Sequence, residues 1–307
     1  MTRSIAFMAA LLGTITACSA ADEGDPKRVV ATVDNDRITE GEVRVRLILD
    51  QAADSESSEI RHEVIEDLID RSLLRRFLVR KGIKVADDLV GEQWQRLEAA
   101  ASAKKLNLAA ELDRIGYPES AIKDDLWLPI AWTMYVRRET TDAQLKDFFE
   151  SHRARFDGTT RHVRHLILKA PVEADPAARK AAAEKIKAIR DSIAARKSTF
   201  SDAARKSSES PSAASGGDLG FVHFHGDLPP NVAEAAFALK LHEVSEPVAS
   251  PYGWHLVTVE EDLPGDLSLD DVRPDVFAAL EQSQWKSTAA ELRAKAKIKI
   301  METAKKP

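Results

Sequence analysis

The run Ser215-Gly216-Gly217-Asp218-Leu219-Gly220 restricts this chain's fold more than any other stretch. Three glycines in six positions mark a turn whose backbone reaches angles that side chains with a Cβ avoid. On either side the pattern is regular. His162 to Lys169 reads as a strand with one apolar face, and Pro176 to Arg196 as an alanine-rich helix. A short helix starts at Phe200-Ser201-Asp202-Ala203-Ala204, and Ser207 to Gly220 is a loop that closes in the glycine turn. Pro230 to Leu239 is helical, with Ala235-Ala236-Phe237-Ala238-Leu239 as its apolar end. A short strand is expected near Glu243–Val248, and Pro251-Tyr252-Gly253-Trp254-His255 leads into a last strand, Gly253 to Val259.

The preceding stretch has a different rhythm. Val29 to Val33 is a short strand, and Asp34-Asn35-Asp36 is turn chemistry. Thr39 and Glu42 fit a capping box at the head of a helix from about Glu40 to Gln51. Ser58 to Lys81 is a longer helix with a stripe of Ile60, Val64, Leu68, Leu73, Leu74, Phe77 and Leu78, ended by Gly82. Further helices are expected at Asp87–Lys104, Leu108–Ile115, Glu119–Arg138 and Asp142–Ala154. Trp94, Trp127, Trp132 and Tyr135 are expected to serve mainly as core anchors. Leu269 to Lys297 is a long helical pattern with Pro274 near its start, and Ile298-Lys299-Ile300 alternates like a strand.

The N-terminus carries an address. Arg3 precedes an apolar run, Ile5 to Leu12, that is too short to span a bilayer, as expected of a secretory signal peptide. Ile15-Thr16-Ala17-Cys18 resembles a bacterial lipobox, which implies acylation of Cys18, a lipid anchor stable when two or more chains are attached, and outer-membrane sorting given Ser19. Cys18 is the only cysteine, so no disulfide can form within one chain. Without residues 1–17 the formal charge moves from −6 to −7, which gives no global electrostatic footprint for nucleic acid.

Taken in order, the strand carrying His165, the Gly-Gly-Asp-Leu-Gly turn, the Ala-Ala-Phe-Ala-Leu helix and the Tyr-Gly-Trp-His strand resemble the parvulin-type peptidyl-prolyl cis-trans isomerases. The strand-turn-helix opening and the helices after it are similar in pattern to SurA-type chaperones and PrsA-type foldases. The resemblance implies an α+β fold in which a mainly helical chaperone-like domain holds an inserted parvulin domain, a four-stranded antiparallel sheet wrapped by helices. The expected boundaries are 1–17 signal peptide, 18–28 anchor and tether, 29–159 N-terminal helical domain, 160–262 isomerase domain, and 263–307 a helix and strand packing on the N-terminal domain.

Carried over residue by residue, the resemblance makes His165 and His255 a buried polar pair beside the substrate peptide bond. Ser210 stands where the family has Asp or Cys, and Ser250 at a small hydroxyl position of the network. Leu219, Leu228, Val232 and Phe237 fall at substrate-binding positions, with Phe237 mostly core. Leu228 replaces the usual methionine and Val232 the usual phenylalanine, for which Phe221 or Phe224 could compensate. The implied reaction is rotation about X-Pro bonds of unfolded exported proteins. It makes and breaks no covalent bond, so it requires no metal or cofactor. The implied partners are unfolded or nascent exported chains and, through Cys18, the membrane. A silent or weak domain serving as a peptide-binding module of a chaperone is the alternative, and a metal-handling envelope lipoprotein is a third. His162 with His165, and His223 with His225, come with no carboxylate or cysteine cluster in sequence, so no metal site is expected.

Overall fold

The computed structural model describes residues 25–49, 58–103, 107–171 and 174–301. The chain is α+β and divides into two compact units. One runs to Thr141 and resumes at Ala278, and the other is Asp142–Phe277. Cys18 and the signal-peptide segment lie outside the described residues. Among those described, no helix is long and apolar enough to cross a membrane.

The first unit begins with a hairpin of β1 (Val29–Val33) and β2 (Asp36–Thr39), turned at Asp34 with φ 53°. Helices α1 (Glu40–Leu49), α2 (Ser58–Arg80), α3 (Asp87–Ala103), α4 (Leu108–Arg114) and α5 (Glu119–Glu139) follow. The capping box forms: Thr39 N–H and Oγ1–H both donate to the Glu42 carboxylate, at 2.6 and 2.7 Å. Glu40 is buried, and Arg28 and Arg61 hold its carboxylate at 2.6 Å. Burial alone would raise its pKa, but these hydrogen bonds outweigh it and hold the group below the usual carboxylate value. Val30, Ala31, Val33 and Ile38 pack on Val64, Ile65, Leu68 and Ile69 of α2. Trp94 and Trp132 are buried, whereas Trp127 and Tyr135 are only half-buried.

The second unit comprises α6 (Asp142–Ser151), a 3-10 turn at Arg153–Arg155, β3 (Thr160–Lys169), α7 (Pro176–Ala194), α8 (Phe200–Ser207), a 3-10 turn at Pro211–Ser215, β4 (Asp218–His223), α9 (Pro230–Ala238), β5 (Val248–Ser250) and β6 (Gly253–Leu263). Then α10 (Leu269–Arg293) leads back to β7 (Ile298–Ile300), which pairs antiparallel with β1, Thr32 opposite Lys299. Arg293 on α10 pairs with Glu66 at 2.5 Å and with Asp70 on α2. Trp132 Nε1–H donates to the Glu281 carbonyl at 3.1 Å.

The second unit's sheet is antiparallel in the order β4-β3-β6-β5. Alternation along a strand gives it two faces. Leu166 and Leu168 pack with Leu256 against Ile186 of α7 and Phe200, Ala203 and Ala204 of α8. Val163, Val257 and Val259 pack against Val232, Ala236 and Phe237 of α9.

Strand β2, the start of β4 at Asp218 and the extension of β6 to Leu263 go beyond the sequence reading, and two further boundaries differ from it. The helix expected through Ala154 stops at Ser151, where the serine hydroxyl donates back to the carbonyls of Asp147 and Phe148 at 2.8 and 3.0 Å. The short strand expected near Glu243–Val248 is β5, Val248–Ser250, preceded by a single bridge between Val244 and Thr258. Pro247 has no N–H to give a ladder, so regular pairing starts only after it.

Candidate active site

Strand β3 places His165 and strand β6 places His255 on the sheet face that meets α9. His165 Nε2 lies 2.9 Å from His255 Nδ1, and the rings stack at 5.0 Å with 21° between their planes. Beyond them, Ser250 Oγ lies 2.6 Å from His255 Nε2 and accepts the Tyr252 N–H at 3.1 Å. His255 and Ser250 are buried, and His165 is half-buried. Burial lowers the pKa of His165 to about 4 and, with the neighbouring His165, that of His255 to about 4. Both imidazoles are therefore neutral at pH 7.

Proton counting selects one direction for this chain. If Ser250 donates to His255 Nε2, then His255 Nδ1–H donates to His165 Nε2, and a single group is left over: the Nδ1–H of His165. The reverse direction strands two groups, the Ser250 hydroxyl proton and a bare His165 Nδ1 lone pair. His165 Nδ1 is buried with no hydrogen-bond partner among the described residues. In the first direction the network ends in an Nδ1–H, and a buried unpaired donor costs about 1–3 kcal/mol until something accepts from it.

The glycine turn abuts this pair. Gly216 and Gly217 adopt φ 72° and 81°, and His165 N–H donates to the Gly217 carbonyl at 2.8 Å. A Cβ on Gly217 would fall 2.3 Å from the His165 carbonyl oxygen, so the turn can approach β3 only without one. Of the apolar residues carried over from the resemblance, Leu219 and Leu228 are partly buried against the α9 cluster. Phe237 is 9% exposed, and Val232 is 0% exposed, so Val232 packs the core and presents no surface. Phe224 sits on the same cluster, edge-on to Phe237 at 5.2 Å, with Arg155 4.5 Å from its ring centre. The aromatic surface comes from this loop residue rather than from α9, whereas Phe221 is exposed and leans on His162.

Ser210 is not joined to the histidines. Its hydroxyl caps the 3-10 turn, accepting the Ser212 N–H at 3.2 Å and meeting Ser212 Oγ at 3.0 Å. No hydrogen bond runs from it to either imidazole among the described residues. The structure thus gathers His165, His255 and Ser250, sets Leu219, Leu228 and Phe224 around one cluster, and turns Ser210 to a local task.

The other face of the same strands holds a group that sequence reasoning did not assemble. His162 Nε2 lies 2.8 Å from Asp218 Oδ1, and its Nδ1 lies 4.0 Å from Glu260 Oε2. Arg164 reaches Glu260 Oε1 at 2.5 Å and Asp218 Oδ2 at 3.1 Å, and donates to the Ser215 carbonyl at 3.0 Å. Asp218 has its pKa lowered by the His162 hydrogen bond and by the Gly220 N–H. Read from sequence as a turn residue, Asp218 also ties the glycine turn to β3. The one available signal was the alternation that puts His162 and Arg164 on the same side of a strand.

This arrangement defines a domain class. Residues 165–261 match the Rotamase family, described as the PPIC-type PPIASE domain, and they form a domain of parvulin type in this chain. The relatives fall in the same group. A "Chaperone SurA" from Chromobacterium violaceum is 42% identical over 112 residues, covering 36% of this chain but only 24% of that protein's own length. A "Probable parvulin-type peptidyl-prolyl cis-trans isomerase" from Bordetella bronchiseptica is 28% identical over 276 residues, covering 88% of this chain and 92% of that one. Among solved structures, the peptidylprolyl isomerase PrsA from Bacillus anthracis is 20% identical with a TM-score of 0.40, over 75% of this chain and 96% of that one.

Proposed function

We propose that this protein is a lipid-anchored extracytoplasmic foldase that isomerises X-Pro bonds in exported, unfolded proteins. The observation that carries the reading is the His165–His255–Ser250 chain, with a buried, unpartnered His165 Nδ1, on the sheet face that also packs the apolar cluster holding Leu219, Leu228 and Phe224. Rotation about an X-Pro amide must cross about 18–20 kcal/mol because resonance resists the twist. A catalyst lowers that barrier by holding the proline ring in an apolar seat and favouring the twisted amide over the planar one. A fixed, uncharged donor that needs no reorganisation suits that task. The His165 Nδ1–H is the candidate, oriented from behind by His255 and Ser250.

In this proposal residues 160–262 are the isomerase domain, an insertion in a discontinuous helical domain formed by 29–159 and 263–307. The helical part engages unfolded clients, and the names of the relatives, chaperone and isomerase, support both roles. Acylated Cys18 would hold the protein at the outer membrane, facing the periplasm. The runner-up is a chaperone whose parvulin domain only binds peptide. It is favoured by the capping role of Ser210 and by the buried Val232, which leave the site without two side chains that the family uses.

A protease-coupled isomerisation assay on a proline peptide separates the two. The wild type should exceed the uncatalysed rate, and His255→Ala should lower kcat/KM by about 100-fold. A wild-type rate at background would leave the peptide-binding reading in its place. For the anchor, Cys18→Ala should move the protein from the membrane fraction to the soluble one; continued membrane retention would refute acylation there.

A further inference from the structure

We infer that His162, Asp218 and Glu260 form a divalent-cation site of the zinc class, on the sheet face opposite the histidine pair. One ligand atom from each residue lies within 4.8 Å of the other two, and all three residues are half-buried. Zinc bonds of about 2.0–2.1 Å set neighbouring ligand atoms about 3.3 Å apart. The His162 Nε2 to Asp218 Oδ1 distance of 2.8 Å is that of a proton standing between two would-be ligands. An ion on Nε2 requires this pair to open by about half an ångström and the Glu260 carboxylate, now nearest Nδ1, to turn toward it.

Two features distinguish this group from an ordinary ion-pair network. The first is orientation. Arg164 holds the outer oxygens, Asp218 Oδ2 and Glu260 Oε1, which leaves Oδ1 2.8 Å from His162 Nε2 and Oε2 4.0 Å from its Nδ1. Ligand carboxylates in metal sites are held by partners in this way. The second is charge. One guanidinium faces two carboxylates, so a negative charge is left beside an imidazole, the field a dication would fill. Imidazole with carboxylates suits zinc, and three protein ligands leave a fourth position for water.

The site is independent of the proposed isomerisation. His162 and Arg164 alternate with Val163 and His165 along β3, so the sheet separates the two constellations. Besides strands β3 and β6 they share the glycine turn, since Asp218 precedes Leu219.

Zinc titration of chelator-treated full-length protein, followed by calorimetry and by thermal melting, tests the assignment. The wild type should bind zinc saturably at one site and melt higher with it, because an ion that binds only the folded state stabilises it. Glu260→Gln, which keeps shape and removes charge, and His162→Ala should each weaken binding by at least about tenfold and remove the melting shift. Circular dichroism confirms that each variant is folded. The paired variant His223→Ala/His225→Ala should bind as the wild type does. Absence of saturable binding at micromolar zinc, undiminished binding by Glu260→Gln, or loss of binding in the His223/His225 variant would overturn the inference. These readouts do not involve peptide turnover, so they stand or fall apart from the isomerase reading.

Discussion

Strand β3 carries two histidines three residues apart, and the sheet gives them opposite environments. His165 faces α9, loses water, keeps no charge and pairs with His255, which in turn meets Ser250. His162 faces the other way, half-exposed, among two carboxylates and a guanidinium. The difference lies in the partners, because the residue type and the backbone are the same. Desolvation without a compensating charge makes a neutral donor chain, whereas desolvation shared with carboxylates makes an ionic cluster. One strand therefore offers a group suited to polarising an amide and a group suited to holding a cation, insulated from one another by a layer of backbone.

The two faces meet at the glycine turn, and breaking that turn should produce the largest effect. Gly217→Ala places a Cβ against the His165 carbonyl at a φ of 81°. A loss of about 2–3 kcal/mol in urea unfolding is expected, with isomerase activity falling as well. A variant with wild-type stability would show that the turn is not the shared support.

Acidification should sharpen the contrast next. The inner histidines titrate near 4 when folded, below the ordinary 6.5. As pH falls from about 6.5 to about 4, the unfolded chain gains protons that the folded one refuses, so stability drops across that window and is level above it. On the outer face Asp218 is shifted below its ordinary 3.8, so its contribution is present above that value and is lost only as pH falls beneath it. Urea midpoints measured against pH should thus fall in two stages. A His165→Gln/His255→Gln variant should flatten the first stage alone. A level wild-type profile between 6.5 and 4 would contradict a buried neutral pair.

The smallest effect should come from Arg164→Gln. Its ion pairs are partly screened by solvent, so about 1 kcal/mol is expected, shrinking in high salt. The proposed isomerase activity should not depend on it, because the sheet shields the inner pair. A collapse of activity would mean that the two faces are coupled through the turn.

Much of this was readable along the chain. The Thr39–Glu42 capping box, the helix at Ser58–Arg80, the strand through His165 and the glycine turn all depend on neighbours in sequence, and each formed at its expected place. Boundaries failed where a side chain or a proline competed with the ladder, at Ser151 and before Val248. Within the site, the pairing of Ser250 with His255, five residues apart across a tight turn, was accessible to motif reading. The orientation of Ser210 was not, because a serine hydroxyl chooses among several acceptors by rotation alone.

By itself, then, the sequence determined periodicity, caps, turns and the family of the second unit. Those follow from backbone preferences that operate over a few residues. Only the tertiary structure decided that Phe224 rather than Phe221 packs on the α9 cluster, and that Glu260 and Asp218 meet around His162. Such partnerships depend on strand register and on which face each residue takes. A single bulge reassigns the faces, and each strand beside β3 carries one, at Leu219 of β4 and Glu260 of β6.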